Sequence, residues 1–123
     1  MTTTADVERV ILWAAIEDLP ALWSLIDEVH ALVPDRARAA EQARTVTEQL
    51  VRDGALTVLA APAVEGDTTP VEDQNEALRL MSDTRWWRTP DSYDEPVVRV
   101  DITAAGEQAY QSLVAASTGR SES

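Results

Sequence analysis

Trp86-Trp87-Arg88, followed closely by Asp91, Asp94 and Glu95, is the stretch whose residue types best suit molecular recognition. Tryptophan and arginine dominate protein–protein contacts because they bury large, rigid or planar surfaces and still carry a polar handle. The carboxylates beside them, with Glu72, Asp73, Glu76 and Asp83 upstream, would attract a cationic surface. Neighbours in an extended segment point to opposite sides, so one indole is expected to pack inward and the other to look outward. The plainer alternative is that both indoles seal this segment onto the rest of the domain.

A second constellation lies between Asp35 and Asp53. On a helical wheel Arg38, Gln42, Thr45, Gln49 and Arg52 share one side, away from an alanine-rich stripe, with no acid among them. Arginine and glutamine are residue types that pair with guanine and adenine edges. From Asp35 to Arg52 four arginines against three acids leave +1, whereas residues 1–34 carry −5 and residues 62–96 carry −6. The bland alternative is a solvated helix face braced by pairs such as Glu48 with Arg52.

Catalytic chemistry has little material to work with. There is no cysteine, so disulfides, thiolate metal sites and a cysteine nucleophile are excluded. The single histidine, His30, is expected to be structural, at a core edge near Trp23. Glu17-Asp18 and Asp27-Glu28 are adjacent in helical patterns and do not face each other. Glu65-Gly66-Asp67 is too brief for a calcium loop, and no glycine-rich phosphate loop is present. The expectation is a non-enzymatic protein with no catalytic residues, cofactor or metal.

The frame that must position these groups is small. A chain of 123 residues, 45% hydrophobic, suits one domain with a real core. Twenty-two acidic residues against ten arginines, with no lysine, give a net charge of −12. That charge opposes passive attraction to nucleic acid or an anionic membrane. The apolar run Val10 to Ile16 is far short of the roughly 20 residues needed to span a bilayer. The first ten residues lack the basic opening of a signal peptide, so a cytoplasmic location is expected.

Proline and glycine punctuate the chain into elements. Residues 1–6 read as a tail. Val7 to Leu19 is dense enough in apolar residues, Trp13 included, to predict a helix buried on more than one side, ended by Pro20. Ala21 to Val33 carries Leu22, Leu25, Ile26, Val29 and Val33 on one helical face, with Trp23 also expected in the core. Asp35 caps a third helix with a lean stripe of Ala39, Ala43, Val46 and Leu50, and Gly54 ends it. Ala55 to Ala61 and the alternating Val97 to Ile102 predict strands. Between them, Thr69-Pro70-Val71-Glu72 has the pattern of a helix start, with threonine as cap, and that helix is expected to end near Asp83. Thr103 caps a final helix to about Ala116, and residues 117–123 read as a disordered tail.

This order, three helices, a strand, a second strand and a closing helix, resembles a winged-helix domain over residues 7–116. Leu50-Val51-Arg52-Asp53-Gly54-Ala55-Leu56 looks like the end of a winged-helix third helix turning into its wing. Val100-Asp101-Ile102-Thr103-Ala104-Ala105-Gly106-Glu107-Gln108-Ala109-Tyr110 is similar to the wing-strand-to-helix junction of bacterial regulators of the MarR and PadR type. The chain departs from them by an insertion, residues 62–96, between the two wing strands. The fold expected is mainly α with a small antiparallel β-sheet, a winged helix-turn-helix-like single domain.

Two functions are compatible with these residues. The first is an acidic protein-binding module, such as an immunity or antitoxin protein that neutralises a basic partner, using Glu72, Asp73, Glu76, Asp83, Trp86, Trp87, Asp91, Asp94 and Glu95. The second, implied by the resemblance, is a dimeric transcriptional regulator with Arg38, Gln42, Thr45, Gln49 and Arg52 facing DNA. The apolar first helix can serve either as intramolecular core or as a homodimer seam.

Overall fold

A computed structural model describes the backbone of residues 2–122 and the side chains of residues 2–116. Helix α1 spans Thr4–Glu17. It begins inside the expected tail because Thr3 and Asp6 form a capping box: the Thr3 hydroxyl accepts from the Asp6 amide, and the Asp6 carboxylate accepts from the Thr3 amide at 2.9 Å. Only one stripe of α1 is buried, Val7, Ile11, Leu12 and Ala15. Trp13 is 46% exposed and Ile16 is exposed too, which corrects the expectation of burial on several sides and of Trp13 in the core. Residues 7, 11 and 15 lie on one side of a helix, and Trp13 points away from it, where it stacks on Tyr110 with ring centres 5.6 Å apart.

Helix α2, Leu22–His30, buries the expected face of Leu22, Leu25, Ile26 and Val29, and Val33 follows beneath it. His30 Nδ1 lies 3.0 Å from the Val33 carbonyl oxygen and ties off this end of the helix. Helix α3, Arg36–Arg52, starts where the Asp35 carboxylate accepts from the amides of Ala37 and Arg38. Ala39, Ala43, Val46 and Leu50 are all buried, joined by Thr47 and Val51. Gly54, at φ +78°, ends the helix in the left-handed conformation that a side chain would oppose.

Strand β1, Leu56–Ala61, pairs antiparallel with β3, Val97–Ile102, in the register Leu56 to Ile102 through Ala61 to Val97. A third, two-residue strand, β2 (Thr69–Pro70), lies on the other edge of β1. Thr69 is therefore not a helix cap. Pro70 sits on a sheet edge, where its missing N–H costs nothing, and the next amide, Val71, donates to the Val58 carbonyl at 2.8 Å. Asp73 takes the capping role, accepting from Asn75 and Glu76, so the fourth helix, α4, is the shorter Gln74–Met81.

On its far edge β3 meets Ala21, which bridges Arg99, and the Val100 amide donates to the Pro20 carbonyl. The chain between α1 and α2 thus touches the sheet. Helix α5 spans Ala104–Glu122, capped by Thr103, whose hydroxyl accepts from the Gly106 amide and donates to the Gly54 carbonyl. Its backbone continues past Ala116 over most of the stretch expected to be a disordered tail; Ser123 lies outside the described residues. The architecture is mainly α with a small antiparallel sheet. One core joins α1, α2, α3 and the sheet, and the segment between β1 and β3 adds Ala77, Met81 and Trp87 to it. No helix among the described residues is long and apolar enough to cross a membrane.

Candidate functional site

The segment between β1 and β3 builds its surface around one anchor. After α4 a single 3-10 turn, Thr84–Trp87, forms because the Asp83 carboxylate accepts from the Arg85 amide. The two tryptophans therefore lie on a turn and not on an extended segment. Trp87 is 6% exposed and its indole N–H donates to the Met81 carbonyl at 2.9 Å, pinning the turn against α2. Trp86, one residue earlier on the turn, is left half-buried at the surface, with the Arg85 guanidinium 4.4 Å above its ring.

Trp86 and Trp23 of α2 wall a cleft of about 610 Å³, shared with Arg85, Arg88, Asp91 and Glu95. Trp23 is half-buried, so it belongs to this cleft and not to the core expected for it. A neighbouring depression of about 310 Å³ continues past Trp23 and Pro90 to Val64 and Tyr93, and Tyr93 is 76% exposed. The indole N–H groups of both Trp23 and Trp86 are buried without a hydrogen-bond partner.

The loop that closes the cleft is held by short polar links. The Asp91 amide donates to the Glu95 carboxylate at 2.8 Å, and the Asp94 amide to the Ser92 hydroxyl at 3.1 Å. The Val64 amide donates to the Tyr93 carbonyl, tying this loop to the connection between β1 and β2. Arg99 locks the assembly from below. Its guanidinium donates to the carbonyls of Leu19 and Val64, each at 2.6 Å, joining the end of α1 to the insertion. In the strand pattern Arg99 is simply a polar alternate, and its two acceptors lie 80 and 35 residues away in the chain.

The nine candidate partner-binding residues are divided by the structure. Trp86, Asp91 and Glu95 converge on the cleft, Asp94 lies exposed on its closing loop, and Trp87 is buried beneath the turn. Asp73 and Asp83 are exposed, but each carboxylate caps its own following turn. Glu72, Asp73 and Glu76 lie at the other end of α4. There the Gln74 side chain donates to the Val51 and Arg52 carbonyls and docks the start of α4 on the end of α3.

On α3, Arg38, Thr45, Gln49 and Arg52 are exposed and Gln42 is half-buried, so the expected face is mostly open. Arg52 makes no ion pair with Glu48; Gln49 instead donates to Asp53 at 2.9 Å, and Arg36 pairs with Asp27 of α2 at 2.9 Å. Acidic residues flank the C-terminal end of this face through the α4 contact. Among the described residues no three histidine or carboxylate side chains group as a metal site. Comparison of the chain with protein-family models, curated proteins and solved structures finds no match.

Proposed function

We propose that the protein is a non-catalytic binding module that docks a basic protein partner on the surface built by residues 62–96, as an immunity or antitoxin-type protein would. The observation that carries this proposal is the aromatic cleft of Trp23 and Trp86, set within a segment of net charge −6. Half-buried indoles beside solvated carboxylates supply the two ingredients of such a contact: an apolar anchor and a field that steers a cationic partner. Affinity capture from the native cell, before and after nuclease treatment, followed by titration of the recovered protein, tests it. One basic protein should survive nuclease, and its binding should weaken with salt and in the triple variant Asp91→Asn, Asp94→Asn, Glu95→Gln. Recovery of nuclease-sensitive DNA, lost on replacing Arg38 and Arg52 with alanine, would overturn it.

A specific observation favours a second reading, a dimeric winged-helix regulator. Arg38, Thr45, Gln49 and Arg52 stand exposed on α3, the helix that the winged-helix resemblance places against DNA. Against DNA stand acidic residues on either side of β2: Glu65 and Asp67 in the connection from β1, and Glu72, Asp73 and Glu76 around the start of α4, which Gln74 docks on the end of α3.

A further inference from the structure

The cleft of Trp23 and Trp86 contains a cation of the protein's own. Arg85 lies over the Trp86 ring at 4.4 Å, and neither Arg85 nor Arg88 pairs with a carboxylate among the described residues. The guanidinium is thus held by the ring face, through the attraction of a cation for the negative face of the indole. Asp91 and Glu95 line the same cleft without an arginine partner. The neighbouring Trp87 shows how this fold satisfies an indole when the ring is purely structural: it is buried, and its N–H meets the Met81 carbonyl. The N–H groups of Trp23 and Trp86 have no such acceptor. Buried donors of this kind are rare in native proteins and call for an explanation.

We propose that this cleft is the seat for an arginine or lysine side chain on an extended basic segment of the partner, with Arg85 as its internal stand-in. The incoming cation replaces Arg85 on the Trp86 ring, and the carboxylates of Asp91 and Glu95 take up its charge. As Arg85 leaves, the cleft opens, and backbone carbonyls of the segment accept from the indole N–H groups of Trp23 and Trp86. An extended polypeptide suits the site better than a small ammonium ion, because it brings carbonyl acceptors together with the cation. The adjoining depression toward Tyr93 gives it a path beyond the cleft. Charge favours the same occupant at longer range: the cleft itself balances Arg85 and Arg88 against Asp91 and Glu95, while residues 62–96 hold nine carboxylates against three arginines and the chain as a whole is at −12. This inference rests on the basic-partner reading above and specifies how that partner is gripped.

The test uses the intact protein with octa-arginine as probe and octa-glutamate as control. The indole N–H signals of Trp13, Trp23, Trp86 and Trp87 are followed by nuclear magnetic resonance and assigned with single tryptophan-to-phenylalanine variants. Octa-arginine should shift the Trp23 and Trp86 signals and leave those of Trp13 and Trp87 in place. Arg85→Ala vacates the ring and should tighten binding by about two- to fivefold, whereas a role for Arg85 in gripping the ligand would weaken it. The pair Asp91→Asn, Glu95→Gln should weaken binding by about tenfold. Unmoved Trp23 and Trp86 signals, weaker binding by Arg85→Ala, or preferential binding of octa-glutamate would each overturn the proposal. If the cleft ignores octa-arginine but a captured basic partner still binds, and depends on Glu72 and Glu76, the seat is wrong and the broader function stands. If octa-arginine fills the cleft while capture recovers only DNA, the seat stands and the broader function falls.

Discussion

Replacing Gly106 with alanine sets two effects of opposite sign against each other. In the first turn of α5 alanine is the better helix former, by up to about 1 kcal/mol. A β-carbon at this position, however, would fall well inside contact distance of the Ala55 carbonyl oxygen and 2.7 Å from Ile102 Cγ1. The carbonyl cannot swing aside cheaply, because it accepts a hydrogen bond from the Thr103 amide at 3.1 Å. The Thr103 hydroxyl bonds Gly54 beside it, so α5 is clamped to the corner between α3 and β1. Overpacking against fixed neighbours costs about 1–3 kcal/mol or more, and here the obstacle is backbone. We expect Gly106→Ala to lose about 2 kcal/mol net, lowering Tm by about 5–10 °C for a domain of this size. Thermal and urea unfolding followed by circular dichroism would measure it, with unchanged urea slope as the sign that only the native state is affected. Trimming Ile102 to alanine in the same chain, which removes Cγ1, should not rescue it, since the Ala55 carbonyl remains. A Tm equal to or above the parent's would refute the packing of α5 described here.

Three other substitutions probe the core and the parts that hold the cleft. Thr47 is fully buried with its hydroxyl unpartnered, so Thr47→Val should be neutral or stabilising by about 1 kcal/mol in urea unfolding; a clear loss would reveal a partner for that hydroxyl. Arg99→Met removes both guanidinium bonds, to Leu19 and Val64, and should cost about 2–3 kcal/mol. The same change should speed amide exchange at Val64, and unchanged protection there would show that Arg99 does not hold the insertion. Trp87→Phe leaves the Met81 carbonyl without its donor and should cost about 1–3 kcal/mol. It should also disturb the Trp86 indole signal, because Trp87 fixes the turn on which Trp86 rides; an unperturbed signal would break that link.

The places where the structure departs from the sequence pattern share a cause. Val71 and its neighbours carry both a helix-start pattern and an edge-strand opportunity, and local signals cannot weigh a bond to Val58 that lies 13 residues back in the chain. Once that bond forms, Asp73 is the next residue with a side chain able to cap, and the helix shortens accordingly. Trp13 and Trp23 each sit among apolar residues, yet each lies off the buried stripe of its helix. What covers such a flank depends on distant chain: Tyr110 of α5 for Trp13, the insertion for Trp23.

Taken by itself, the amino-acid order determined the helices α1, α2, α3 and α5 and the strands β1 and β3, because their apolar periods and the capping residues Asp35, Gly54 and Thr103 act locally. It also determined where the acid lies, concentrated outside α3. Only the tertiary structure decided that Trp23 and Trp86 face one cleft, that Trp87 is its anchor, and that Arg99 ties Leu19 to Val64. Those outcomes follow from contacts across long loops. A bulky side chain that is part apolar and part polar takes its place from whichever surface closes over it, and periodicity along the chain holds no record of that surface.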